Sequence, residues 1–339
     1  MNVNLPKPKS HILRNIIIIG SLIIFIAAMI LIVRNCSPSK SSVIAIEPVI
    51  NEKIFFPFIS ITQNKAIFLG DKGIKYYSYD LNKKEKKPLL REEILGAVNA
   101  IYKPDGNESI VIGDYPSKYI KLYNFTDEKT ASLNNNIGNI AWDKTKDKIY
   151  YIYSNLANHI TTLNISNPDG SDWKKLIDLP ESILAYKVYA LDNELIYTDY
   201  LTVSKLNLTT NQTEKMFEAK LTSGLLISPD GEKIAYNISD LNGTKIFDQK
   251  SHQAIQLKEE INIESSVFST DNNIYYLKNL DTLTKIDQDG NLTNINLNKL
   301  QVNVANPLDE PIQNLTLSQD NKILYFTYNN ILYKIVLQK

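Results

Sequence analysis

The chain has 339 residues, 37 Lys+Arg against 37 Asp+Glu, and a single cysteine. Charges that balance to zero argue against a general nucleic-acid binder, which would need a basic face, and one thiol cannot form an intrachain disulfide. With 43% hydrophobic residues and few Pro or Gly, the composition is that of a folded chain, long enough for one large domain or two ordinary ones.

Residues 1–15 form a basic tail with Lys7, Lys9 and Arg14. Ile16 to Val33, IIIIGSLIIFIAAMILIV, then carries no charge and is bracketed by Arg14 and Arg34. At ~1.5 Å per residue this stretch reaches roughly 27 Å, near the thickness of a hydrocarbon core. It predicts one transmembrane helix, with the two arginines extending to the headgroup layers. A cleaved signal peptide would have a shorter apolar run and a small-residue exit. Here the exit is Leu31-Ile32-Val33-Arg34-Asn35-Cys36, bulky and charged, and a poor match to a lipoprotein signal as well. The segment therefore reads as a signal anchor. The basic residues before it outnumber Arg34 and Lys40 after it, which predicts a cytoplasmic N-terminus and an extracytoplasmic domain. No acidic residue precedes Glu47, so the domain beyond the anchor is mildly acidic. Residues 34–42 form a linker, in which Cys36 reads as a passive thiol beside the membrane.

From residue 43 onward a hairpin pattern recurs. Ala100-Ile101-Tyr102-Lys103 leads through Pro104-Asp105-Gly106-Asn107 into Ser109-Ile110-Val111-Ile112, and Leu225-Leu226-Ile227-Ser228 leads through Pro229-Asp230-Gly231-Glu232 into Lys233-Ile234-Ala235-Tyr236. Proline presets φ, aspartate bonds its own backbone, and glycine accepts positive φ, which is turn chemistry between half-buried strands. Degenerate copies centre on Thr62–Lys65, Asp143–Lys146, Leu191–Glu194, Ser269–Asn272 and Ser318–Asn321. A third strand follows each copy, for example Tyr119 to Phe125. A polar outer strand follows most of them, such as Trp173-Lys174-Lys175-Leu176 after the Asp169-Gly170-Ser171 turn. Four strands repeated about seven times predict an all-β, seven-bladed β-propeller of four-stranded antiparallel blades over 43–339.

Ser228-Pro229-Asp230-Gly231-Glu232-Lys233-Ile234-Ala235-Tyr236 resembles the repeat of TolB-like propellers, the WD-like class with a Ser-Pro-Asp-Gly turn. Asn167-Pro168-Asp169-Gly170-Ser171-Asp172-Trp173 resembles that repeat's turn between third and fourth strands. The resemblance spans roughly 43–339, with the Pro-Asp-Gly turn kept in the second and fifth copies. It implies a protein found outside the cytoplasm, serving as an interaction platform or as a non-catalytic domain.

The last copy supplies three strands, Asn314 to Leu317, Ile323 to Tyr328 and Ile331 to Leu337. Ser42 to Glu47 (SVIAIE) is predicted to supply the fourth and close the ring, which removes an open sheet edge. The tether would then enter on the face carrying the Pro-Asp-Gly turns, so the other face is expected to point away from the membrane. The connections on that outward face are acidic. They nominate Glu52, Glu93, Glu181, Glu264, Asp309 and Glu310 as binding residues, beside Glu92, Glu218 and Glu259. A ring of carboxylates would favour a cation or a basic peptide; the alternative is a merely solvated set of loops.

No catalytic constellation stands out, and no cofactor or metal is expected. His159 and His252 fall in different blades, Asp287-Gln288-Asp289-Gly290-Asn291 lacks the closing glutamate of a calcium loop, and there is no nucleophile elbow or phosphate loop. The expectation is a single-pass membrane protein whose propeller binds a protein or peptide partner at the cell envelope, without catalysis and without nucleic acid. Two alternatives stay open: a tunnel enzyme of the lactonase or cyclase type holding a metal, and a structural spacer in an envelope assembly.

Overall fold

The repeated turns fold through the chemistry their residues carry. Gly106 and Gly231 take φ of 77° and 78°. Their N–H groups donate to Lys103 O and Ser228 O, each at 2.9 Å. Asp105 and Asp230 Oδ1 accept the backbone N–H two residues on, from Asn107 and Glu232, each at 2.9 Å. In three of the five degenerate copies asparagine occupies the left-handed position: Asn64, Asn272 and Asn321 have φ of 49°, 58° and 56°. Asparagine tolerates this region because its short side chain bonds locally.

The computed structural model describes residues 44–60, 62–180, 186–239, 243–298 and 312–337. All lie in one unit, Val43–Lys339. The expected helix over 16–33 lies outside the described residues; among those described, no helix is long and apolar enough to cross a membrane.

The described strands form seven four-stranded antiparallel sheets, the blades of a propeller. Blade 1 is Phe55–Ser60, Lys65–Gly70, Lys75–Asp80 and Glu85–Pro88, from inner to outer strand. Blade 2 is Ala97–Tyr102, Glu108–Gly113, Tyr119–Asn124 and Thr130–Ser132; blade 3 is Ile137–Trp142, Ile149–Asn155, Ile160–Ser166 and Lys174–Asp178. Blade 4 is Lys187–Ala190, Glu194–Thr198, Thr202–Asn207 and Thr213–Glu218; blade 5 is Leu226–Ile227, Lys233–Ile238, Gly243–Asp248 and Gln253–Gln256. Blade 6 is Ser266–Phe268, Ile274–Asn279, Thr282–Ile286 and Leu292–Asn296.

Blade 7 joins the two ends of the domain. Gln313–Leu317, Ile323–Tyr328 and Ile331–Val336 are its first three strands, and Ile46–Ile50 is its outer one. Ile46 pairs with Ile335 and Glu47 with Lys334, antiparallel, and the register shifts between Pro48 and Ile50. The closing strand thus runs later than Ser42–Glu47, and it contains a proline. An outer strand tolerates proline because one edge has no partner to receive the missing N–H. Ile44 lies just before this strand and bonds blade 6: its N–H donates to Asn296 O at 3.3 Å, and Asn298 N–H donates back to Ile44 O at 2.9 Å.

Each blade is covered on both faces, so its middle strands are apolar throughout rather than alternating. Ile110 and Val111, adjacent in blade 2, are both fully buried and face opposite cores. The core joining blades 6 and 7 gathers Leu283, Leu324, Phe326, Tyr333 and Ile335 around Ile44. Burying each such side chain contributes about 1.5–3 kcal/mol, set against the entropy of ordering it.

Candidate binding site in the central channel

The inner strands are unequal, and that asymmetry shapes the channel. Blades 1, 2 and 3 contribute six residues each and blade 7 five. Blades 4, 5 and 6 contribute four, two and three. On the short-stranded side the channel opens into a cavity of about 590 Å³ lined by residues of blades 3 to 6. Its walls are mainly apolar: Ile140, Ala141, Val188, Ala190, Ile227 and Val267. Gly224 lies beside it because a Cβ there would meet Tyr189 Oη at 2.8 Å and Lys187 Nζ at 3.2 Å.

Asn139, Lys144, Lys187, Tyr189 and Ser228 interrupt these walls with polar groups. Asn139 Oδ1 accepts Val188 N–H at 2.7 Å and joins blade 3 to blade 4. Lys144 Nζ donates to Pro229 O at 3.2 Å, reaching from the turn of blade 3 to that of blade 5. Lys187, half-buried in the inner strand of blade 4, holds its ammonium 5.5 Å from the centre of the Tyr200 ring. Burial works against that charge, but Tyr200, Tyr189 and the charge of Glu264 outweigh it, and the pKa of Lys187 is raised. Tyr189 is fixed in turn, since its hydroxyl accepts Leu225 N–H at 2.9 Å. A cation beside an aromatic face within apolar walls keeps more of its electrostatic reach than one in open water.

Of the six nominated carboxylates, Glu181, Asp309 and Glu310 lie outside the described residues. Glu52 pairs with Lys86 at 2.6 Å, and Glu93 with Lys75 at 3.7 Å. Their neighbours are matched too: Glu92 with Lys121 at 2.6 Å, Glu218 with Lys215 at 2.8 Å and Glu259 with Lys278 at 3.3 Å. These lysines stand on second, third and outer strands, so the pairs sit over the blades and form a mixed-charge surface. Exposed pairs of this kind contribute little stability, about 0–1 kcal/mol each, but they do cancel local potential. Glu264 differs. It sits in the short turn Ile263–Ser265 that enters the inner strand of blade 6, where its N–H donates to Asn262 Oδ1 at 2.9 Å.

Lys187, Lys144 and Asn139 were not singled out from the sequence. Their signal was a polar residue inside an inner strand or its turn, visible only once strand order is known. His159 and His252 stand in turns with φ of 52° and 56°. Among the described residues, no three His, Cys, Asp or Glu come together in a group able to hold a metal ion.

No protein-family model matches the chain, and no curated protein matches it in sequence. Solved structures match in fold. One is an oligogalacturonate lyase in complex with manganese, at a TM-score of 0.59 and 12% identity, covering 87% of this chain and 91% of that one. At that identity the likeness supports a seven-bladed propeller and says nothing further about chemistry.

Proposed function

We propose that this chain is a non-catalytic binding platform, held at a membrane by residues 16–33 with its propeller outside the cytoplasm. The Ser-Pro-Asp-Gly repeat supports placing it with the TolB-like propellers. On this reading the channel receives an anionic tip of a protein or peptide partner, such as a C-terminal or side-chain carboxylate. The observation that carries it is Lys187, a half-buried ammonium on the channel wall that among the described residues contacts the Tyr200 ring and forms no ion pair, Glu264 acting on it only through its charge. An incoming carboxylate would gain a charge-assisted bond in surroundings poor in competing water.

The test is affinity capture with the full-length chain in detergent micelles, wild type against Lys187→Met. Loss of recovered partners in the variant supports the channel site, and equal recovery rejects it. Protease accessibility of the propeller from outside intact cells tests its placement. The fold neighbour's manganese keeps the enzymatic alternative in view. Stoichiometric metal in the purified chain would favour that alternative over a pure platform.

A further inference from the structure

Away from the channel, the flank of blade 3 that faces blade 2 turns polar at its third strand, beyond the core that Ile137, Ile140, Trp142, Ile149 and Tyr151 form with blade 2. Strand Ile160–Ser166 alternates: Leu163 and Ile165 join the core shared with blade 4, while Thr162 and Asn164 face the other way, into a groove. The outer strand of blade 2 is only three residues long, Thr130–Ser132, too short to cover that flank. The groove left between the blades has a volume of about 720 Å³, within the range of small-ligand sites, roughly 300–1,000 Å³.

Two features of its lining point to a ligand. Trp173 is 64% exposed and Ile160 44% exposed on the rim, a flat apolar platform. Asn164 is only 2% exposed; its Nδ2 donates to Thr162 Oγ1 at 2.9 Å, but its Oδ1 has no partner among the described residues. Reversing the amide would only move the deficit to the nitrogen. Buried polar atoms are nearly always paired, so an orphan at the base of a groove marks a position where a donor is missing. Thr162 Oγ1 accepts from Asn164, which leaves its own proton to donate. The charged groups of the rim, Lys175 with Asp169 and Asp178, leave one carboxylate charge over, and each of the three is already bonded. Lys175 Nζ donates to both oxygens of Asp178 at 2.8 Å, and Asp169 Oδ1 is taken up by Ser171, N–H at 2.9 Å and hydroxyl at 2.6 Å.

We infer that this groove binds a neutral pyranose unit of a glycan. Asn164 Oδ1 is closed to solvent in the unliganded chain; a shift of its side chain toward the groove lets one sugar hydroxyl donate to it and accept from Thr162, while the C–H face of the ring lies on Trp173. A cation would satisfy Asn164 but offers Thr162 no acceptor, and the rim carboxylates already accept from Lys175 and Ser171. An apolar side chain would leave both polar groups unpaired. A hydroxyl serves both with a single atom, and the pyranose carries the apolar face that the indole requires.

The test uses the full-length chain in a detergent without a sugar headgroup. The chain has two tryptophans. Trp142 is 6% exposed and donates to Ile101 O at 3.1 Å, so a sugar-dependent change in emission reports on Trp173. The probes are methyl glycosides of glucose, galactose, mannose and N-acetylglucosamine, with their linear trisaccharides. At least one is expected to shift the emission at millimolar concentration or below and to show saturation transfer by NMR. Trp173→Ala and Asn164→Leu should each weaken that binding tenfold or more, while thermal unfolding stays the same or rises in Asn164→Leu. The inference is overturned if no probe gives either signal at millimolar concentration, or if binding survives both substitutions. Trp173 is exposed, so its variant remains folded and informative even if the Asn164 variant does not.

Discussion

Ring closure by Ile46–Ile50 can be tested by weakening its last residue. Ile50 is buried in the core between blades 7 and 1, against Ile54, Phe68, Tyr325 and Leu332. Ile50→Ala removes three carbons, about 0.8 kcal/mol each by transfer, and leaves a cavity that adds to the loss. The expected cost is about 3 kcal/mol, and by the same arithmetic about a hundredfold in an opening equilibrium. If closure is the seam where the ring opens first, that loss appears locally. Amides of Ile46–Ile50, and those of Ile331–Val336 that pair with them, should lose about a hundredfold in hydrogen-exchange protection. Strands of blades 2 to 4 should change far less. Ile110→Ala provides the comparison: a fully buried residue in the core of blades 2 and 3, it should lower stability without singling out the closing strand. The reasoning fails if Ile46–Ile50 is already unprotected in the wild type. It fails equally if Ile50→Ala costs less than about 1 kcal/mol.

Other consequences follow from single positions. Gly231→Ala forces a side chain into φ 78° and sets its Cβ 2.8 Å from Leu191 Cδ1 of the next blade; a loss of roughly 1–2 kcal/mol in urea unfolding is expected. Gly138→Ala, whose Cβ would meet only Ile152 O at 3.7 Å, should stay within about 0.5 kcal/mol. Asp248 is held at about 2, below its ordinary 3.8, first by the bond from Lys233 Nζ and then by Ser251 N–H. Its folded pKa is depressed, so the stabilisation is complete above 3.8 and is lost as pH falls through about 2. Allowing for screening at a partly exposed carboxylate, that amounts to about 1 kcal/mol. Urea midpoints measured down through this window should fall more in the wild type than in Asp248→Asn; parallel curves would show that the ion pair contributes nothing.

Much of the fold was legible because the repeat is written in turn chemistry. Pro104-Asp105-Gly106 and Pro229-Asp230-Gly231 mark two hairpins outright, and three of the five degenerate copies keep a residue at positive φ, Asn64, Asn272 and Asn321. The closing strand begins at Ile46, four residues later than the expected Ser42, and it runs through Pro48. The rule against proline applies to interior strands, and this one is an edge. The carboxylates of the outward connections were legible as residues, but their lysine partners were not. Lys86, Lys121 and Lys278 come from strands 19 to 34 positions away, and which lysine meets which glutamate depends on how far each loop folds back over its blade. Neither cavity could be read directly, because each depends on what a neighbouring blade fails to cover.

That failure has a pattern. A propeller of equal blades fills every seam with the same strands, so its cores leave no room for a ligand. This chain departs from equality in two places: the two-to-four-residue inner strands of blades 4 to 6, and the three-residue outer strand of blade 2. The channel cavity lies at the first and the Trp173 groove at the second. Lys187 and Asn164, polar side chains with unmet or loosely met bonding capacity, sit in the same two places, while a further buried unpaired oxygen, Asn272 Oδ1, stands in a turn of blade 6 away from both. A shortened strand alone could be drift, and a lone polar residue alone could be a tolerated defect. Their coincidence at both sites is what selection for binding would produce, because an unpaired buried group lowers stability unless something outside the chain completes it.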